Sequence, residues 1–147
     1  MKFGAKMKVL FVCNANVGRS QAAEALFKRL SSHEAESAGT RADEIVARSN
    51  PPTRTLKDTP SPAVPYLKEL GVDISQNLRT QLTEDLVRQA DKVIVMADRD
   101  NWPDYLRDSD KVTFWDIEDT RGLGSDEAQP LLDEIKRRVE ELAREIG

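Results

Sequence analysis

Apolar residues run from Met7 to Val12 with Lys8 alone among them, and no regular alternation with polar positions. A short run of this kind reads as a β-strand covered on both faces, the pattern of a parallel sheet. A turn of small residues follows and the spacing changes. Ala23, Leu26, Phe27 and Leu30 stand at i, i+3, i+4 and i+7, one apolar helical stripe, with Glu24, Lys28 and Arg29 on other faces. Glu34 to Gly39 is only weakly strand-like, but a strand belongs there if the strand–helix–strand rhythm continues. From Thr40 to about Pro62 no period is visible, and Pro51, Pro52, Pro60 and Pro62 break the backbone.

The pattern then resumes. Val64, Leu67 and Leu70 form a short helical stripe, with Pro65 in its first turn and Gly71 as a left-handed terminator. Thr83 reads as the N-cap of the next helix, with Glu84 and Asp85 in the first turn and Leu82 and Val87 at the hydrophobic-staple positions. Lys92 to Ala97 is a second clear buried strand and ends at Asp98. Asn101 to Arg107 is a short helix in which Pro103 is tolerable only near the start. Lys111 to Asp116 reads as a fourth strand that runs into Asp116, Glu118 and Asp119. Leu132, Ile135, Val139, Leu142 and Ile146 make the stripe of a final helix beginning between Ser125 and Pro130, with i,i+4 acid–base pairs on its exposed face.

This order predicts an α/β fold: a four-stranded parallel, doubly wound sheet with helices on both faces and right-handed crossovers, in one domain over residues 1–147. Met7-Lys8-Val9 reads as a natural start, which makes the first six residues an extension. Ligands of such sheets bind beyond the carboxyl ends of the strands. Cys13, Asp98 and the Asp116–Asp119 cluster all follow strand ends, so they are expected on one edge.

Composition narrows the classes. Net charge is −4, so no basic footprint for nucleic acid is present. No apolar run approaches the roughly 18 residues of a membrane span, and Met7 to Val12 is too short for a signal-peptide core. The expected location is the cytoplasm. The chain holds one cysteine, which excludes an internal disulfide and a cysteine-rich metal site.

That cysteine opens the stretch Cys13-Asn14-Ala15-Asn16-Val17-Gly18-Arg19-Ser20, between the first strand and the first helix. A loop of this placement turns successive backbone N–H groups inward, and the helix N-terminus adds partial positive charge; an anion the size of phosphate fits there. Arg19 brings a planar fork able to bond two phosphate oxygens. Those donors favour the thiolate of Cys13, the nucleophilic form. Ser20 can donate to it, Asn16 tolerates a left-handed backbone, and the small Ala15 and Gly18 let an anion approach. Attack of Cys13 on a phosphomonoester would give a phosphocysteine. One carboxyl can then protonate the leaving oxygen and later activate water; Asp119 is the choice, with Asp116 and Asp98 as rivals. The loop donors and Arg19 neutralise the equatorial charge, so neither metal nor cofactor is required. The proline-broken segment, carrying Arg41, Arg48 and Arg54, is expected at the rim of the site, where basic residues help gather an anion; the alternative is a solvated loop. A lone cysteine is more often a small buried hydrophobe. The conjunction of strand, cysteine, five residues, Arg-Ser and helix is what points to chemistry.

The stretch VLFVCNANVGRSQAAEALF resembles the opening of the low-molecular-weight protein tyrosine phosphatases and of the thioredoxin-coupled arsenate reductases that share their fold. The resemblance continues through SAGT at Ser37–Thr40, GVDIS at Gly71–Ser75 and VIVMADRDN at Val93–Asn101. It implies Cys13 as nucleophile, Arg19 as phosphate ligand, Asn16 and Ser20 as loop supports and Asp119 as general acid. Three departures stand out. The family's acid usually precedes proline, and in the phosphatases aromatic residues follow it, whereas this chain has Asp119-Thr120-Arg121. Gly18 replaces the second loop cysteine of many members. Gln21 is the residue of the reductases, not the proline of the phosphatases, yet the further cysteines of the reductase relay are missing. The expected protein is therefore a phosphomonoesterase of the tyrosine phosphatase type, acting on a phosphorylated protein or small phosphomonoester. Arsenate reduction with an external thiol and a phosphocysteine carrier are the alternatives. His33 reads as a solvated surface residue, and Trp102 and Trp115 as core or site wall.

Overall fold

The computed structural model describes residues 6–147; apart from Lys6, the expected N-terminal extension lies outside them. The sheet is parallel throughout, in the order β2-β1-β3-β4. Its strands are β1 (Lys8–Cys13), β2 (Glu34–Gly39), β3 (Lys92–Val95) and β4 (Val112–Phe114). The helices are α1 (Arg19–Leu30), α2 (Ala42–Arg48), α3 (Ala63–Glu69), α4 (Glu84–Gln89), α5 (Asp104–Arg107) and α6 (Ser125–Ile146). The doubly wound α/β architecture read from the sequence is the one observed.

β1 shows why its sequence lacks alternation. Val9, Phe11 and Cys13 enter the cluster formed with α1, α3 and α6, where Phe27, Leu67, Leu132 and Ile135 meet them. Leu10 and Val12 face the opposite cluster with Val87, Val93, Trp102 and Leu106. Each side chain therefore finds an apolar partner whichever way it points, and burying one is worth about 1.5–3 kcal/mol. Trp115 packs on Phe11, with ring centroids 6.1 Å apart, and Trp102 on Phe114 at 5.6 Å.

Local signals meet their structural counterparts. Thr83 caps α4, its hydroxyl accepting from Leu86 N–H at 3.2 Å. Gly71 has φ +86°, and the chain leaves α3 through it. β2 spans the six residues that the rhythm demanded. The non-periodic segment contains a helix that the sequence reading lacked, α2. Only Ala42 and Val46 of α2 are buried, and two positions i,i+4 are too few to show a period. β3 and β4 are shorter than expected, although just past their ends Met96 N–H still donates to Val12 O at 2.7 Å and Trp115 N–H to Val95 O at 2.9 Å. His33 is not a free surface side chain: Nδ1 accepts from Met7 N–H at 2.8 Å and Nε2 lies 3.1 Å from Ile146 O, tying the start of β1 to the end of α6. Among the described residues no helix is long and apolar enough to cross a membrane.

Candidate active site

The order β2-β1-β3-β4 places the reversal of winding between β1 and β3, and the loop Cys13–Ser20 leaves β1 at that point. β2 runs beside it and ends in Gly39, whose absent side chain is a requirement: a Cβ there would lie 2.6 Å from Asn14 O and 2.8 Å from Asn16 N. The loop is thus seated directly on the neighbouring backbone.

Asn16 organises it from within. Its φ of 56° is the left-handed conformation that Asn tolerates, and the side chain is wholly buried. Oδ1 accepts from Thr80 N–H at 2.8 Å and Gln21 Nε2 at 3.1 Å; Nδ2 donates to Ser20 Oγ at 2.7 Å and Ser37 Oγ at 3.0 Å. Ser20 Oγ lies 3.0 Å from Cys13 Sγ. Asn16 fills one lone pair of the Ser20 hydroxyl and leaves its proton free to be donated to sulfur. Cys13 is 2% exposed, at the base of the cavity.

Arg19 begins α1, whose first turn carries no acidic residue and no side-chain cap. The guanidinium is pinned by Nη1, which donates to Met96 O at 2.5 Å and Ile117 O at 2.8 Å, just beyond β3 and β4. Nε is buried with no partner among the described residues. Nη2 stands 3.7 Å from Asp119 Oδ2. One edge of the fork is consumed by the protein, and the other remains for an oxyanion over Cys13.

Of the three candidate carboxylates, Asp119 lines the cavity. Its Oδ1 accepts from Arg121 N–H at 3.0 Å, which fixes the turn that carries it. Asp98 is engaged by Asn14, whose Nδ2 donates to it at 3.2 Å, and Asp116 is exposed outside the lining. Thr120 is buried against Gly18, where a Cβ would stand 2.6 Å from Thr120 Oγ1. The missing second loop cysteine and the missing proline therefore meet in space.

The cavity, about 320 Å³, is bounded by Ala15, Val17, Ile45, Thr59 to Pro62, and the turn Asp119 to Gly122. Among the described residues no aromatic side chain lines it. The proline-broken segment does wall the site, held by the Ser61 hydroxyl donating to Val17 O at 3.0 Å. The arginines expected there do not reach it. Arg41 and Arg48 pair with Glu44, and Arg54 with Asp43, because α2 interposes its own acids. Among the described residues the cavity cations besides Arg19 are Arg79 and Arg121, neither read as a cation of the site in the sequence. Arg79 is 3% exposed and its Nε donates to Ala15 O at 3.2 Å. Burial, and then Arg121, lower its pKa from the usual arginine value. Gln21 was read only as a family mark, yet it is a buried strut between Asn16, Asn77 and Leu78 O. Among the described residues no group of three or more His, Cys, Asp or Glu is placed to hold a metal ion.

The family model described as low molecular weight phosphotyrosine protein phosphatase matches residues 8–147. Arsenate reductase 2 of Staphylococcus haemolyticus is 30% identical over 138 residues, 92% of this chain and 95% of the relative. Among solved structures, a low molecular weight protein tyrosine phosphatase from T. tengcongensis is 30% identical with a TM-score of 0.76, covering 95% of this chain and 99% of that one. The YwlE arginine phosphatase from Geobacillus stearothermophilus is 25% identical with a TM-score of 0.73, covering 95% and 92%.

Proposed function

The chain belongs to the low molecular weight phosphotyrosine protein phosphatase family, within which cysteine-based phosphatases and arsenate reductases share one fold, and we propose that it is a phosphomonoesterase of the protein tyrosine phosphatase type. In the first step Cys13 Sγ attacks phosphorus in line with the ester oxygen. The S–P bond forms, the P–O bond breaks, and the departing oxygen takes the proton of Asp119. Arg19 Nε and Nη2, with the loop N–H groups, bind the equatorial oxygens as charge redistributes. In the second step Asp119 accepts a proton from water, whose oxygen attacks phosphorus. The S–P bond breaks, phosphate leaves, and Cys13 returns as thiolate held by Ser20. The aliphatic wall of Val17, Ile45, Pro60 and Pro62 offers a surface to an aromatic leaving group, so phosphotyrosine in a protein is the substrate to try first.

The observation that carries this reading is the single cysteine. A reductase relay moves two electrons through successive protein thiols, whereas hydrolysis needs one thiol and an acid, and both are at the cavity. The test is hydrolysis of an aryl phosphate in the presence of a chelator. Cys13→Ser should abolish turnover, and retained activity would sink the mechanism. Asp119→Asn should lower kcat by about 10²–10⁴ on poor leaving groups and far less on activated ones.

Arsenate reduction with an external thiol is the second reading, favoured by the 30% identity to an arsenate reductase and by Gln21. There Cys13 would displace a hydroxyl from arsenate, forming an S–As bond. A small thiol would then attack Sγ, the S–As electron pair would pass to arsenic, and arsenite would leave with Cys13 in a mixed disulfide. Arsenate-dependent oxidation of a small thiol, without ester hydrolysis, identifies that case.

A further inference from the structure

Two arginines face the Cys13 cavity that the hydrolytic steps do not use. Arg79 is almost wholly buried, 3% exposed, and lines the cavity. Among the described residues no carboxylate stands within ion-pairing distance of it. Its Nε and Nη1 donate to carbonyls, Ala15 O at 3.2 Å and Thr53 O at 3.4 Å. Carbonyl dipoles hold the guanidinium in place without cancelling its charge. Arg121 lines the same cavity from the turn that carries Asp119, and it too lacks an ion pair among the described residues. Burial first, and then the like charges of Arg121 and Arg54, disfavour the charged form of Arg79. Arg121 is exposed and Arg79 buried; a like charge beside a desolvated guanidinium costs free energy, and an anion between them returns it.

The contrast with the neighbouring arginines is the second observation. Arg41, Arg48 and Arg54 lie near the same segment and each is ion-paired, Arg41 and Arg48 sharing Glu44 and Arg54 with Asp43. In a chain of net charge −4, acids are plentiful, yet none is paired with either cavity arginine.

We infer that Arg79 and Arg121 form a second anion subsite beside the phosphate loop, so that the preferred substrate is a phosphomonoester whose leaving group carries a further anionic group, a carboxylate or a second phosphoryl group. This rests on the hydrolytic reading of the Cys13 site and adds the chemistry of the leaving group. A cationic leaving group is disfavoured by the same two charges.

Binding of unreactive phosphonates to the full chain tests it without turnover. The probes are benzylphosphonate and ring-substituted analogues bearing a carboxylate, a second phosphonate or an aminomethyl group, at the meta and para positions. At least one anionic analogue should bind about ten-fold more tightly than benzylphosphonate, and the aminomethyl analogues more weakly. Arg121→Gln should bring the anionic-to-neutral Kd ratio close to one, and Arg121→Lys should keep part of it. A carboxylate effect and a second-phosphonate effect each support the subsite and tell which group it takes. Equal Kd values for neutral and anionic probes, a ratio unchanged in Arg121→Gln, or no binding by any probe would overturn it. Loss of the hydrolytic reading shows instead as no turnover of aryl phosphates, whatever the Kd ratio.

Discussion

Asn16 combines three demands that no other residue type meets as well. It takes a positive φ of 56°, its amide oxygen accepts twice, and its amide nitrogen donates to two serine hydroxyls. Replacement by Ala strains the backbone and leaves Thr80 N–H, Ser20 and Ser37 short of buried partners. Asn16→Ala should therefore destabilise the fold by about 2–3 kcal/mol in denaturant unfolding. It should also lower kcat, because Ser20 is no longer oriented toward Cys13. At this scale the motif was legible: Cys13, Arg19, Asn16 and Ser20 are close in sequence, and their residue types fit a strand-to-helix turn. Gln21, Arg79 and Thr120 were not. Their partners lie far away along the chain, Leu78 O for Gln21, Ala15 O for Arg79 and the Gly18 backbone for Thr120, and no local pattern encodes such a pairing.

Between elements, the critical contact is the one joining the β1–α1 loop to the turn after β4. A Cβ at position 18 would meet Thr120 Oγ1 at 2.6 Å, so the hydroxyl must turn away or Thr120 must shift beside Asp119. With Asp119 as the proposed acid, Gly18→Ala should reduce kcat chiefly on esters with poor leaving groups. Adding Thr120→Ala should restore much of the loss. If the double variant is no better than the single, the contact does not set the position of the acid. The sequence placed Asp119 on the correct edge because it follows a strand, a topological argument that needs no contact map. It misjudged the proline-broken segment in detail: its wall was foreseen, whereas α2 and the pairing of its arginines with Asp43 and Glu44 were hidden in a helix with two buried positions.

Across the whole molecule, α6 is the brace that spans the sheet. Tyr66 of α3 donates to Asp133 Oδ1 at 2.6 Å, and His33 joins the start of β1 to the end of α6. Burial first, and then the Asp133 carboxylate, raise the Tyr66 pKa well above 10.0. The folded form therefore holds this proton more tightly than the unfolded chain. The stability so contributed is complete below the unfolded value and is lost as pH rises above it. Urea unfolding between about pH 9 and 11 should show a declining midpoint, and Tyr66→Phe should flatten that decline. Tyr105, also raised by burial, adds a decline of the same sign that the variant retains.

The clamp of Arg19 on Met96 O and Ile117 O joins the phosphate loop to the ends of two strands through a cation that is 2% exposed and, among the described residues, meets a single carboxylate, at 3.7 Å. Its charge is only partly compensated inside the protein, so an oxyanion arriving at Nε completes a structural joint as well as a binding site. Occupancy and folding then become linked equilibria: the ligand that the site is built to process also consolidates the sheet edge that builds the site.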